Sequence, residues 1–316
     1  MHEASIVAVA STIALWPALA FVVLGTIMLV HETPSERFIV ATVLGAVGLS
    51  TVLSIVCAVG MYVLGISALE VPAGEWFRSG EQAFHLSFFL DALSLEMMVL
   101  CTTLCFLAAR FSVAYLHRES GFARFFLLLA LFCSGILVLV MAGSLDVLFI
   151  GWEIVGMTSV LLVGFFQDRD GPVQASRRVY ATYRFCDIGL LVGVILMHHY
   201  AGTTEFSHVF AVGPWPEHAP SVPAHAATAI LFALLIGSLG KGALFPVGNW
   251  LARAMEGPTP SSALFYGAIS IHAGVYLMLR MAPLLERSPV ACAALVVVGG
   301  LTAVYGTMTW RVQTDV

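Results

Sequence analysis

Long apolar runs, separated by short polar segments, make up most of the sequence. A helix needs about 20 consecutive apolar residues to cross the roughly 30 Å of hydrocarbon in a bilayer, whereas a membrane-spanning β-strand needs about 9 to 11 residues of alternating polarity. Only 10% of the 316 residues are charged, against about 25% in an ordinary soluble domain. The pattern predicts an all-α fold, a polytopic transmembrane helical bundle.

Nine of these runs are long enough to span a bilayer. The polar segments between them are short, except near residues 68–91 and 203–225, where Pro, Gly, Trp and acidic residues occur. None has the size of a soluble domain, so residues 1–316 are predicted to form a single membrane domain. The predicted spans lie at about 4–30, 38–67, 92–114, 122–142, 147–166, 178–202, 226–251, 261–282 and 289–312.

Basic residues are unevenly divided between the two ends of the predicted spans. Cytoplasmic loops of membrane proteins carry an excess of Lys and Arg. The richer end is therefore predicted to be cytoplasmic, with the N-terminus outside, in a bacterial inner (cytoplasmic) membrane. That end holds Arg37, Arg110, Arg118, Arg124, Arg169, Arg177, Arg178, Arg253 and Arg311, and the other end holds Arg78, Arg280 and Arg287.

Motifs for redox or metal chemistry are not recognisable in the sequence. All of its cysteines lie within apolar runs, without a C-x-x-C or a paired Cys/His spacing. No motif for quinone, flavin, haem or an iron–sulfur cluster is recognisable either. We therefore expect no cofactor, no metal site and no catalytic site of the chain's own. With a net charge of -5, no nucleic-acid partner is expected.

Several ionisable residues fall inside the predicted spans. A charge at mid-bilayer costs at least about 2.5–3.5 kcal/mol on insertion scales, so each is expected to have a partner, water or a function. Two are weaker candidates. Glu96 lies near the start of its span, and His272 could be either a proton relay or a neutral histidine bonded to a neighbouring helix. The stronger candidates are Glu153, Arg184, Asp187 and Lys241.

Lys241 is the chain's only lysine, and glycines stand on both sides of it. Pro246 removes a backbone donor a turn later, which predicts a broken helix near residues 240–246. A broken helix is tolerated at membrane depth where its freed backbone groups meet protein or water, and a lysine there can gain and lose a proton. The alternative, a lysine reaching to the membrane interface, would need a position near the end of a span.

The acidic candidates allow two interpretations each. Glu153 is the only charge near the middle of its span, where it could be a buried neutral carboxyl or a proton carrier. Arg184 and Asp187 are three residues apart, so they lie on one helix face and can pair. The pair could be purely structural, or it could open and close to influence a neighbouring group.

Three motifs identify a family: "GWEIVGMTSVLLVGFF", "YRFCDIGLLVG" and "GKGALFPVGNWLARAMEGPTPSSAL". They resemble motifs of the antiporter-like membrane subunits of respiratory complex I, of the chain-5 or L type, and of Mrp-type cation/proton antiporters. The resemblance implies N-terminal helices and a periplasmic loop at 1–91, a first antiporter-like helical repeat at 92–282, and the start of a truncated second repeat at 283–316.

The resemblance also implies residue roles. Protons would move along a buried line of charges in which Glu153 pairs with Lys241 across the membrane centre, while Arg184 and Asp187 form a switching ion pair. One departure concerns the family's "SALIHAAT", which reads "SALFYGAI" here, with Tyr266 in place of the histidine. His272 lies six residues further on and would point about 240° around a continuous helix from Tyr266.

The resemblance implies a proton-translocating subunit of a larger membrane complex, with the lipid bilayer and other membrane subunits as partners. A translocase resembling NADH:quinone oxidoreductase is the assembly expected first. An Mrp-type sodium/proton antiporter component, a proton-coupling subunit of an inorganic-carbon uptake complex, and a membrane scaffold are the alternatives. Whether the transported ion is a proton or sodium is left open.

Overall fold

A computed structural model describes residues 3–30, 34–79, 82–210 and 222–311. In this part of the chain, nine helical spans are long and apolar enough to cross a membrane, as predicted from hydropathy. Two of the nine spans, Glu3–Val30 and Thr259–Arg280, are each divided into shorter helices. Part of the 203–225 segment lies outside the described residues. The helices are α1 (Glu3–Ile13), α2 (Leu15–Val30), α3 (Glu36–Leu64), α4 (Ala92–Tyr115), α5 (Phe122–Met141), α6 (Leu145–Val163), α7 (Asp170–Ala201), α8 (Phe206–Phe210), α9 (Ala224–Lys241), α10 (Thr259–Ser262), α11 (His272–Arg280), α12 (Ala282–Leu285) and α13 (Pro289–Trp310).

The segment near residues 68–91, which the sequence analysis treated as a loop, forms an antiparallel β-hairpin of β1 (Ala68–Ser79) and β2 (Gln82–Asp91). Aromatic and apolar residues in "FHLSFFL" favour a strand, and β2 leads directly into α4. Phe88 forms a bridge with Ala142, the residue after α5. The hairpin therefore covers one end of the bundle, which we call the hairpin end. The opposite end, which holds Arg110, Arg118 and Arg124 among other arginines, is called the arginine-rich end.

A buried ion pair ties the hairpin to the bundle. Asp91 begins α4 with a capping box that includes Ser94, and its carboxylate also accepts a hydrogen bond of 2.6 Å from Arg280 at the end of α11. The Arg280 side chain is only 5% exposed and also donates to the hydroxyl of Tyr276. Arg280, which was predicted to lie among the loop charges, is therefore a buried structural residue at the hairpin end.

Helices α7 and α9 approach each other closely because glycines line their contact. A Cβ at Gly240 would lie 2.4 Å from the Cβ of Cys186, and one at Gly193 would lie 2.4 Å from the Leu234 side chain. Helix α9 ends at Lys241, followed by turns and two short 3-10 helices, Gly248–Trp250 and Ala252–Glu256. The predicted break near residues 240–246 is thereby confirmed, and it places Lys241 against α7.

The eighth span contains a second break that the sequence analysis did not predict. A π-helix over Ala263–Ala268 follows α10, and helix α11 begins only after turn residues 269–271. A Cβ at Gly242 would lie 3.6 Å from the carbonyl oxygen of Ile271, so the two breaks lie against each other. The predicted angle of 240° between Tyr266 and His272 assumed an uninterrupted helix, and the structure has a π-helix and a turn between them instead.

Burial is greatest in the middle of the described bundle. Helix α5 is buried along most of its length, and α6 packs against it closely enough that a Cβ at Gly151 would lie 2.5 Å from the backbone nitrogen of Leu139. Helix α13 has a single buried residue, Ala291. The charged candidates of α6, α7 and α9 therefore lie on helices near the centre of the bundle.

Candidate functional site

One part of the site is an arginine held between two carboxylates. Glu153 lies in the middle of α6, and Arg184 and Asp187 lie on one face of α7. The Arg184 guanidinium donates to Glu153 Oε2 through Nη1, and its Nη2 pairs with Asp187 Oδ2 at 2.8 Å. Because a guanidinium is planar and carries several donors, one arginine can bind two carboxylates at once.

Lys241 forms the second part of the site. Its side chain is almost fully buried, with the residue 1% exposed, and Nζ donates a hydrogen bond to the backbone carbonyl of Trp152. Nζ also lies 4.4 Å from the ring centroid of Trp152 and 5.4 Å from that of Tyr183. A carbonyl dipole and two aromatic faces stabilise an ammonium group without a formal ion pair.

Trp152 connects the two parts. Its indole N–H donates a hydrogen bond of 2.6 Å to Asp187 Oδ1, while its carbonyl and ring contact Lys241. The sequence analysis did not assign it a role, although it directly precedes Glu153 in the "GWE" motif. Trp152 therefore contacts an acid through its indole N–H and a base through its ring and carbonyl.

The position of Gly156 shows how close the two basic groups come. A Cβ at this position would lie 3.2 Å from Lys241 Nζ and 3.7 Å from Arg184 Nη2. Both groups thus reach the same face of α6, one turn after Glu153. The family resemblance implied a direct pair between Glu153 and Lys241; in the structure Glu153 pairs instead with Arg184, whose guanidinium reaches both carboxylates.

His272 and Glu96 do not join these four residues. His272 is the first residue of α11, and its side chain is exposed. Glu96, in the second turn of α4, is exposed as well. The structure therefore brings together Glu153, Arg184, Asp187 and Lys241, while a relay role for His272 stays a prediction.

A row of buried aromatic residues extends the site beyond Lys241. The Tyr183 and Trp250 rings are 5.1 Å apart between centroids, and the Trp250 and Tyr266 rings are 5.5 Å apart. Trp250 also donates a hydrogen bond of 3.1 Å to the carbonyl of Gly240. Tyr266, at which the resemblance described above implies a histidine, is thus connected to Lys241 through ring contacts on three different segments.

Another acid–base pair lies at the hairpin end of the same helices. Asp146, in the first turn of α6, contacts His198 Nε2 at 3.1 Å and accepts a hydrogen bond from the Thr204 hydroxyl. Asp146 precedes Glu153 by seven residues, which is two helical turns, or about 10 Å along α6. The sequence analysis missed this pair because Asp146 lies at the very edge of its predicted span.

Two ranges of the chain match models of known protein families. Residues 142–316 match the family described as "NADH:quinone oxidoreductase/Mrp antiporter, TM", and residues 76–126 match "NADH-Ubiquinone oxidoreductase (complex I), chain 5 N-terminus". NADH-quinone oxidoreductase subunit L of Neisseria meningitidis is 32% identical over 282 residues, covering 87% of this chain and 42% of the relative. NAD(P)H-quinone oxidoreductase chain 5 of Synechocystis is 36% identical over 245 residues, covering 77% and 36%. The chain thus spans about two fifths of the length of these relatives.

Two solved structures are similar in fold to this chain. A chain of the Mrp complex from Dietzia sp. DQ12-45-1b superposes with a TM-score of 0.72 and 25% identity, covering 97% of this chain and 31% of that one. A chain of an archaeal membrane-bound sulfane sulfur reductase has a TM-score of 0.73 at 19% identity, which shows a shared fold. The chain therefore belongs to the family of antiporter-like membrane subunits found in NADH:quinone oxidoreductases and Mrp antiporters.

Proposed function

We propose that this chain is a proton-translocating subunit of a larger membrane complex, in which Lys241 gains and loses the transported proton. The observation that carries the proposal is the setting of Lys241: an almost fully buried ammonium at the end of a broken helix, held by a carbonyl and two aromatic faces. Among the described residues no carboxylate forms an ion pair with Lys241, so a neighbouring group can change the stability of its charge.

Arg184 supplies such a change. While it pairs with both Glu153 and Asp187, it neutralises much of their charge. Movement of the guanidinium toward Glu153 would leave the Asp187 carboxylate, still held by the Trp152 N–H, beside Lys241, where it stabilises the ammonium. The return of Arg184 would weaken that attraction and favour release of the proton.

The family relationship supports the partners of this proposal. The Neisseria relative is a subunit of NADH-quinone oxidoreductase, and the Dietzia chain is part of an Mrp complex. We infer that other membrane subunits surround this chain in the lipid bilayer and supply the driving reaction. The bacterial inner membrane, with the arginine-rich end in the cytoplasm and the N-terminus outside, fits the distribution of basic residues.

The experiment uses membrane vesicles that contain the full chain with its partner subunits, and follows proton uptake with a pH-sensitive dye. Glu153→Gln and Lys241→Ala are each expected to lower the initial rate by about tenfold or more at equal protein abundance. The matched control is Glu75→Gln, which removes a carboxylate from an exposed ion pair with Arg78 on the hairpin and should leave the rate unchanged. Normal uptake in both site variants would contradict the proposal.

A sodium/proton antiporter component is the second candidate, favoured by the 97% coverage of this chain in the Mrp comparison. The same vesicles distinguish the two functions. An antiporter releases or takes up protons when a sodium gradient is imposed, whereas a proton-only subunit responds to the driving reaction of its complex and not to sodium. A dye signal upon addition of sodium that is lost in Lys241→Ala would favour the antiporter.

A further inference from the structure

We propose that Trp250 and Thr302 are positioning residues for Lys241, which hold the chain at the break after α9 in the shape that places the ammonium against α6. The proposal rests on the proposed function, because it concerns the residue that gains and loses the proton there. It assigns roles to the 3-10 helix Gly248–Trp250 and to α13, which carry none of the four charged residues of the site.

The end of α9 at Lys241 leaves backbone groups that a continuous helix would pair. The last carbonyl groups of a helix have no partner within the helix itself. Part of this need is met inside the turn, where the Gly242 amide donates a hydrogen bond of 2.8 Å to the carbonyl of Ser238. The Ala243 amide reaches the carbonyl of Gly240 at 3.4 Å, which is long for a hydrogen bond. The Gly240 carbonyl can therefore accept a better donor from another segment.

Trp250 supplies that donor at the residue immediately before Lys241. Its indole N–H donates a hydrogen bond of 3.1 Å to the carbonyl of Gly240, and the Trp250 residue is fully buried. Because a peptide group is planar, a fixed carbonyl at Gly240 also fixes the orientation of the peptide that begins Lys241. The same indole packs edge-on against the Tyr183 ring, with the centroids 5.1 Å apart, and that ring lies 5.4 Å from Lys241 Nζ. Trp250 thus restrains the backbone of Lys241 and one of the aromatic faces beside its ammonium.

Thr302 on α13 binds the far side of the break. Its hydroxyl oxygen accepts a hydrogen bond of 2.9 Å from the Phe245 amide and donates one of 2.7 Å to the carbonyl of Val298 on its own helix. In a continuous helix the Phe245 amide would instead pair with the carbonyl of Lys241. The rings of Phe245 and Tyr305 lie 6.0 Å apart between centroids and add a second contact. Helix α13 thus satisfies a backbone donor that the break has freed.

Lys241 is therefore held at both of its ends. Nζ donates to the carbonyl of Trp152 on α6, while Trp250 and Thr302 hold the backbone on either side of the break. A lysine ammonium stands on a flexible four-carbon stem, so its position depends on a fixed backbone beneath it. A rotation of the backbone at the break would move Nζ away from α6 and from the charges of α7. The two side-chain hydrogen bonds therefore set the place at which the proton is gained and lost.

Thr302→Val tests the contact from α13. Valine keeps the branched shape and loses the hydroxyl, so in vesicles with the assembled complex the initial rate of proton uptake is expected to fall by about fivefold at equal protein abundance. Thr302→Ser keeps the hydroxyl and should retain the rate. The matched control is Thr307→Val, which removes an exposed hydroxyl on the same helix that donates to the carbonyl of Ala303, and its rate should be unchanged. Normal uptake in Thr302→Val would overturn the role of Thr302.

Two tryptophan analogues placed at position 250 test the second contact. Benzothienylalanine has sulfur in place of the indole N–H and keeps the shape of the ring, whereas fluorotryptophan keeps the N–H. We expect the first to lower the rate of uptake by about fivefold and the second to leave it unchanged. Equal rates for the two analogues would show that the N–H has no part in transport and would overturn the role of Trp250.

The dependence of uptake on pH distinguishes positioning from a purely structural role. A contact that only stabilises the fold changes the amount of active protein, so its loss scales the profile without moving it. A bond that positions Lys241 sets its distances to charged neighbours, so the pH of half-maximal uptake in Thr302→Val is expected to move by about half a unit or more. An unmoved midpoint would overturn the positioning role. The charged and titratable groups around Lys241 among the described residues are Glu153 on α6, Tyr183, Arg184 and Asp187 on α7, and Tyr266 on the second broken span.

The transport results also separate this proposal from the function on which it rests. Normal uptake in Thr302→Val and in the protein with benzothienylalanine at position 250, together with loss in Lys241→Ala, would overturn the positioning roles and leave the proposed function standing. Normal uptake in all three proteins would contradict the proposed function, and the positioning roles with it.

Discussion

At the scale of single residues, Asp187 is held by two different donors, Trp152 and Arg184. The Trp152 indole holds one oxygen of Asp187 at 2.6 Å, while Arg184 binds the other at 2.8 Å. The carboxylate is thus shared between a neutral donor and a charged donor that has a second partner in Glu153. Loss of the charged donor leaves Asp187 oriented by the neutral one, which is the property that a switch requires.

Asp187→Asn tests this arrangement. The amide oxygen can still accept from Trp152, and Arg184 keeps its ion pair with Glu153, so no buried charge loses its last partner. We expect membrane abundance close to that of the unmodified protein on immunoblots, with proton uptake lowered by about tenfold or more. A strong loss of abundance would indicate that the pair of Arg184 and Asp187 is purely structural.

At the scale of elements, the glycines between α7 and α9 fix the depth at which Lys241 meets α7. A methyl group on Gly240 would overlap Cys186, whose Cβ lies 2.4 Å from the position of the added atom. Both helices must separate to accept it. The distance between Lys241 and the α7 charges therefore depends on a residue that carries no charge itself.

Gly240→Ala is expected to destabilise the protein, because overpacking a close contact costs about 1–3 kcal/mol. Gly299→Ala is the matched control: it lies on α13, and its added methyl would meet nothing within 4 Å. The midpoint of thermal unfolding in detergent should fall for the first variant and stay level or rise for the second. Equal midpoints would show that α7 and α9 are less tightly packed than described.

The two helix breaks differ in how well the sequence predicts them. The break after Lys241 follows from flanking glycines and Pro246, which are local signals that act through backbone geometry. The break at residues 269–271 has no proline, and it depends on packing of Ile271 and Gly274 against Gly242. Local sequence patterns do not predict contacts between distant segments, so the break at residues 269–271 could be recognised only in the folded structure.

The site shows the same division. Hydropathy alone is enough to identify the four candidates, because charged residues are rare within apolar spans. These are Glu153, Arg184, Asp187 and Lys241. Their pairing was less predictable, because which carboxylate Arg184 reaches depends on how α6 and α7 rotate against each other.

At the scale of the whole molecule, the hairpin and the arginine-rich end define two opposite surfaces. Arg78→Cys places a thiol on the exposed hairpin, and Ser120→Cys places one in the exposed turn before α5. With a membrane-impermeant maleimide, we expect labelling at position 78 in intact cells and at position 120 only after the membrane is opened. Labelling at position 120 in intact cells, with none at position 78, would contradict the proposed orientation.

The central claim is that Lys241 titrates during transport, and Lys241→Arg tests it most directly. Arginine keeps the positive charge and roughly the length of the side chain, but it does not lose its proton in proteins. Initial rates of proton uptake are compared in vesicles that contain equal amounts of the assembled complex with Lys241→Arg, with Lys241→Ala or unmodified. The account predicts that both variants are impaired by about tenfold or more. A rate close to that of the unmodified protein in Lys241→Arg, with loss in Lys241→Ala, would show that Lys241 is only a fixed counter-charge.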